Sequence, residues 1–162
     1  MRAKLTMPDG TDIAGGTHVG VVNLTLHSMF ESVTIKIADK VVTKTNNMYR
    51  YRALMETLLN YEKVVLDTGM KCDGYEEHTP SHIAVTDPND SNEGLVAREG
   101  FWNNTRVVRL IGPLHSDLFH QEKLIPSGIK LEFNWCRAAL LSSSRRMPHK
   151  VKLRRCSTSS TS

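Results

Sequence analysis

No apolar run in the chain approaches the roughly 20 residues needed to cross a bilayer, and mean hydropathy is slightly negative. No long apolar stretch follows Met1-Arg2-Ala3-Lys4, so no secretory signal and no membrane partner are expected. Cysteine is scarce. Cys72, Cys136 and Cys156 are odd in number and irregular in spacing, which suits reduced thiols in an intracellular protein better than a disulfide framework. Gly15-Gly16 lacks the Lys-Ser/Thr and the helix that a phosphate-binding loop needs. No G-x-S-x-G elbow occurs, so a serine hydrolase of that type is unsupported. There is no internal repeat.

What remains is a chain of 162 residues, 40% hydrophobic, enough for one ordinary domain with a core. Its net charge of +4 is concentrated at one end. From Ser142 to Ser162 there are six basic residues, Arg145, Arg146, Lys150, Lys152, Arg154 and Arg155, and no acid, which leaves about −2 for residues 1–141. A nucleic-acid-binding face would spread its basic residues over folded elements, and the body has none. The Ser/Arg-rich tail, residues 136–162, reads as a disordered end. Its six basic side chains are the candidate contacts for weak, non-specific nucleic-acid binding through phosphates.

The body alternates. Ala3, Leu5 and Met7 face one way and Arg2, Lys4 and Thr6 the other, the period of a half-buried strand. Pro8-Asp9-Gly10 ends it with a turn. Val22, Leu24 and Leu26 predict a second extended run. Val33, Ile35 and Ile37, the connector Ala38-Asp39-Lys40, and Val41-Val42-Thr43 predict a hairpin. One helix is predicted from Met48 to Tyr61, with Asn46-Asn47 as N-cap. Its apolar stripe is Tyr51, Leu54, Met55, Leu58 and Leu59, and Arg52 and Glu56 can pair four apart on its outer face. Residues 67–94 read as a long loop. Arg106–Ile111 is a short β-branched run, His115–Gln121 a single helical turn, and Ile129, Leu131, Phe133 and Trp135 form the cleanest strand. The pattern predicts a mainly β, antiparallel jelly roll or β-sandwich with one amphipathic helix over residues 1–135.

Three groups of residues bear on chemistry. His78-Thr79-Pro80-Ser81-His82 is an H-x3-H pair with Cys72 six residues before it. Zinc uses such ligands, but a structural site needs four, and the proline argues against a helix presenting both histidines; a solvated loop is the stronger reading. In His115-Ser116-Asp117-Leu118-Phe119-His120 a catalytic His-Asp pair is conceivable. The stronger reading has His115 and Asp117 capping or bridging a tight turn while Leu118 and Phe119 fill the core. A cupin-like metal-dependent enzyme would need a second His or Glu cluster on a matching strand, which the sequence does not display. No cofactor, catalytic residue or metal ligand is therefore assigned.

Five stretches in order carry a family resemblance. They are Arg2-Ala3-Lys4-Leu5-Thr6 with Pro8-Asp9-Gly10-Thr11-Asp12; Val19-Gly20-Val21-Val22-Asn23-Leu24 with Leu26-His27-Ser28-Met29-Phe30; Tyr49-Arg50-Tyr51-Arg52-Ala53 with Glu56-Thr57-Leu58-Leu59-Asn60-Tyr61; Gly94-Leu95-Val96 with Arg98; and Leu110-Ile111-Gly112-Pro113-Leu114-His115-Ser116-Asp117-Leu118-Phe119 with Gln121. Together, over residues 2 to about 133, they resemble the major capsid proteins of Polinton (Maverick) DNA transposons and adintovirus-like elements. The resemblance implies the first half of a double jelly roll, a structural rather than enzymatic role, homotrimers, a penton-type capsid protein as a partner, and a place in a virion or virus-like particle. The pattern fades after Phe133, and the second jelly roll is missing from the sequence.

Overall fold

The computed structural model describes residues 1–6, 9–14, 19–83, 92–138 and 150–153. Two antiparallel three-stranded sheets form its β framework. The first has the order β4 (Val107–Arg109), β1 (Arg2–Thr6), β6 (Lys150–Leu153), and the second β3 (Lys40–Lys44), β2 (Phe30–Ile37), β5 (Leu131–Arg137). The β-rich, antiparallel expectation therefore holds. Four α-helices accompany the sheets among the described residues: α1 (Thr25–Ser28), α2 (Tyr49–Asn60), α3 (Lys63–Thr68) and α4 (Glu93–Trp102). The expectation of a single helix is corrected accordingly. No helix among the described residues is long and apolar enough to cross a membrane.

Alternation translates directly into packing where a strand has one wet face. In β1, Ala3 and Leu5 are buried against Ile13, Val19, Val21, Met29, Leu110 and the indole of Trp102. In β2, Val33 and Ile35 are buried and form a second small core with Tyr49. β2 and β3 turn over Ala38 and Asp39, both at positive φ (46° and 66°). Paired left-handed residues give a two-residue loop the twist of its strands.

Several segments depart from the periodic reading. Val22–Leu26 is not a strand. Asn23 Oδ1 accepts from the Leu24 and Glu76 amides, Thr25 Oγ1 donates to the Val22 carbonyl, and Leu24 sits at φ 53° before α1. Such local side-chain bonds offer the backbone an alternative to a ladder. Asn46 and Asn47 both have positive φ. The residue at the N-cap of α2 is Met48, with no side-chain cap. Residues 67–94, read as loop, contain the end of α3, one turn of 3-10 helix at Met70–Asp73, another at Pro80–His82, and the start of α4.

The face that α2 buries is also not the predicted one. Tyr49, Ala53 and Thr57 point inward, while Tyr51, Met55, Leu58 and Leu59 are exposed and Leu54 is half-buried. A spacing of four puts 49, 53 and 57 on one face, and the small Ala53 lets the helix approach Leu24, Met70 and Tyr75. In the tail, read as disordered, residues 150–153 form β6 and pair antiparallel with β1, Lys4 opposite Lys152 and Thr6 opposite Lys150. β5 runs to Arg137, just past the expected domain end at 135.

Candidate functional site

A chain of polar side chains links α1, α2 and the segment 115–120. Its inner end is built on α1, α2 and the turn at Met70–Asp73. His27, Tyr49, Asp73 and His115 are all at most 2% exposed. His27 Nδ1 lies 3.0 Å from the Tyr49 hydroxyl, and His27 Nε2 lies 3.6 Å from Asp73 Oδ2. The rings of His27 and His115 meet edge to face at 4.6 Å. Gly112 passes so close that a Cβ there would stand 2.8 Å from the Asp73 Cβ, so glycine is what lets residues 110–116 close over this group. Four of the group's atoms, His27 Nε2, both Asp73 oxygens and His115 Nε2, are buried without a hydrogen-bond partner among the described residues. Buried polar groups are normally paired, which marks this as a costly arrangement. Burial pushes the Tyr49 hydroxyl up to about 12.

The outer end reaches solvent through α2. His115 Nδ1 is 2.8 Å from Glu56 Oε2, and Glu56 Oε1 accepts from Arg52 Nε at 2.6 Å. Arg52 continues as a two-pronged donor to Asp117, with Nη1 3.1 Å from Oδ2. Those bonds hold Asp117 below the usual carboxylate range. Burial opposes ionisation of Glu56, but its bonds from His115 and Arg52 outweigh that and leave it lowered. Burial also lowers His115, against the pull of Glu56, and since the Glu56 carboxylate accepts, the proton between them is on His115 Nδ1. His120 places Nε2 3.9 Å from the same Glu56 oxygen, and its Nδ1 is 2.9 Å from the Ser116 carbonyl. One ligand atom each from Glu56, His115 and His120 lies within 4.8 Å of the other two.

Beside the inner end opens a cleft of about 1000 Å³, lined among others by Leu26, His27, Phe30, Tyr49, Phe133 and Trp135. Trp135 packs on Phe30 at 4.8 Å. The cleft is aromatic and aliphatic over most of its wall.

The residues singled out in the sequence are distributed as follows. Leu118 packs on the core of Val33, Ile35 and Tyr49, while Phe119 is exposed and stacks on Phe133 at 6.1 Å. Asp117 bridges to Arg52 on another element. Cys72 is an exposed free thiol. His78 bonds Asn92 at 2.9 Å, and His82 ends a 3-10 turn; the three do not come together as ligands. Lys150 and Lys152 lie on β6, and Arg145, Arg146, Arg154 and Arg155 lie outside the described residues. Glu56 was legible only as a surface partner of Arg52, and His27 and Asp73 carried no signal, since their partners are distant in sequence.

No protein-family model matches the chain, and no curated protein or solved structure matches it.

Proposed function

We propose that this chain is a capsid-type structural protein that acts by self-association, each copy contributing an upright jelly-roll unit to a trimeric shell tile. The observation that carries the reading is the exposed face of α2. Tyr51, Met55, Leu58 and Leu59 lie on one side of the helix and are 49–74% exposed. On α3, Val64 and Val65 are exposed as well. Contiguous apolar surface of this kind marks association sites. The sheets add to it: among the described residues β4 and β6 bound one sheet and β3 and β5 the other, and unpaired strand edges are templates for further chains. The family resemblance over residues 2 to about 133 supplies the occupant, a second copy of the same chain. A penton-type partner and incorporation into a virion belong to the same proposal.

Light scattering after size exclusion tests it. The purified chain is expected to run as a discrete trimer or a defined larger multiple. Met55→Lys with Leu59→Lys, both at solvent-facing positions, is expected to yield monomer with an unchanged far-ultraviolet spectrum. A wild-type chain that stays monomeric up to high concentration would refute the proposal.

A further inference from the structure

Glu56, His115 and His120 form a cluster that neither the fold nor the assembly reading requires. We infer that it is a binding site for one zinc-type divalent cation, which clips α2 to the turn at residues 115–120. The inference is independent of self-association.

The first argument is the arrangement of lone pairs. His120 Nδ1 faces the Ser116 carbonyl at 2.9 Å, and a carbonyl only accepts, so the ring proton sits there. In the neutral ring that leaves His120 Nε2 as a lone pair turned toward Glu56 Oε2, 3.9 Å away and beyond hydrogen-bond reach. A carboxylate oxygen and an imidazole lone pair facing each other repel unless a proton or a metal cation stands between them, and both are good zinc donors. A metal-bound histidine has this pattern, with its second nitrogen fixed by a carbonyl or carboxylate that sets the tautomer.

The second argument is distance. Zinc bonds of about 2.0–2.1 Å in a tetrahedron separate ligand atoms by about 3.3 Å. The two separations from Glu56 Oε2, 2.8 Å to His115 Nδ1 and 3.9 Å to His120 Nε2, bracket that value. The three donors already lie within 4.8 Å of one another, so rotation of the side chains, without movement of the backbone, would gather them around one ion. His115 would bind as its Nε2–H tautomer, and because Nε2 is buried with no hydrogen-bond partner among the described residues, the metal bonds must outweigh the cost of that unpaired donor.

Charge and access agree with this. Glu56 and Asp117 are anionic and Arg52 cationic, so the immediate surroundings carry a net negative charge that favours a dication. Two imidazoles and one carboxylate suit zinc or a neighbouring first-row ion rather than calcium or magnesium. The His120 side chain is 42% exposed, which provides an entry path and leaves a fourth position for water. The ion would join an element of regular structure to a loop that Arg52–Asp117 and the packing of Leu118 otherwise hold. Because a folded-state ligand stabilises by mass action, the clip would raise the melting temperature.

The test is titration of the chelator-stripped, full-length chain with cobalt(II), followed by its visible absorption, then displacement by zinc. One equivalent per chain is expected, with the intense bands of a low-coordinate ion, together with a higher melting temperature in zinc. His120→Ala alters an exposed side chain, so it should fold; it should weaken binding at least about 100-fold, since even the outer partners of metal ligands are worth 10–100-fold. Glu56→Gln should do the same, and His82→Ala should bind like the wild type. A wild-type chain whose cobalt spectrum stays that of the aqueous ion overturns the inference. So does a His120→Ala variant that binds as tightly as the wild type.

Discussion

Gly94 stands in the first turn of α4, where the helix crosses the backbone of Glu76 and Glu77. A Cβ built at Gly94 would lie 2.2 Å from the Glu77 carbonyl oxygen and 3.3 Å from that of Glu76. Ordinary contact begins near 3.4 Å, so Gly94→Ala requires roughly 1.2 Å of relief, a shift on the scale of the overpacking penalties of about 1–3 kcal/mol. Neither side yields easily. Glu76 is held by Asn23, whose Oδ1 accepts from its amide at 2.9 Å and whose Nδ2 donates to its carbonyl at 2.7 Å. The helix is held by buried Arg98, which donates to the carbonyls of Val21 at 3.0 Å and Glu76 at 3.3 Å. The cost therefore falls at the upper end, about 2–3 kcal/mol, or a fall in melting temperature of roughly 5–10 °C for a chain of this size. Gly100, in the same helix, has nothing within 4 Å of its would-be Cβ. Gly100→Ala should gain up to about 1 kcal/mol from helix propensity alone. Thermal melts of the two variants followed by circular dichroism should thus move in opposite directions. If Gly94→Ala melts within a degree or two of the wild type, α4 does not pack on residues 76–77 as described.

Two further outcomes concern the same helix. Asn92→Ala removes the N-cap bond to the Leu95 amide and the bond to the His82 carbonyl, and should cost about 2 kcal/mol, roughly 1 for the cap and roughly 1 for the second bond. Asn92→Asp keeps the cap and loses the donor, so urea denaturation should place it between the two. His78 is lowered from its usual 6.5 by burial and then by the Arg98 charge, against its bond with Asn92. The folded state therefore binds the proton less readily than the unfolded chain. The contribution of His78 is complete above about pH 6.5 and is lost as pH falls below that value toward the lowered folded one. Protection factors in α4, which remove the intrinsic pH dependence of amide exchange, should fall between pH 7.5 and pH 5 more in the wild type than in His78→Gln, and an equal fall would refute this assignment.

Legibility followed the range of the interactions involved. The hairpin of β2 and β3, strand β5 and helix α2 were readable because each expresses a local period or a turn. Helix α4 was not, because two of its buried positions are charged. Arg98 and Glu99 interrupt the apolar spacing of Leu95 and Trp102, and only the carbonyls of Val21 and Glu76 make Arg98 an inward residue. Asn92 before the acidic Glu93 is the one local mark of this helix start, and the loop reading of residues 67–94 does not use it. In α2 the apolar stripe faces solvent and Tyr49, Ala53 and Thr57 face the core, since periodicity defines a face without saying what lies against it.

Sequence by itself therefore determined where the chain can extend or coil. Side-chain alternation and backbone preferences act between neighbours, so they are present in the order of residues. Tertiary structure alone decided which face of α2 is dry and which charged groups are inside. It also decided that Glu56 meets His115 and His120, 59 and 64 positions along the chain, on one carboxylate oxygen. Those outcomes depend on which distant surfaces exclude water together, and no local pattern encodes that.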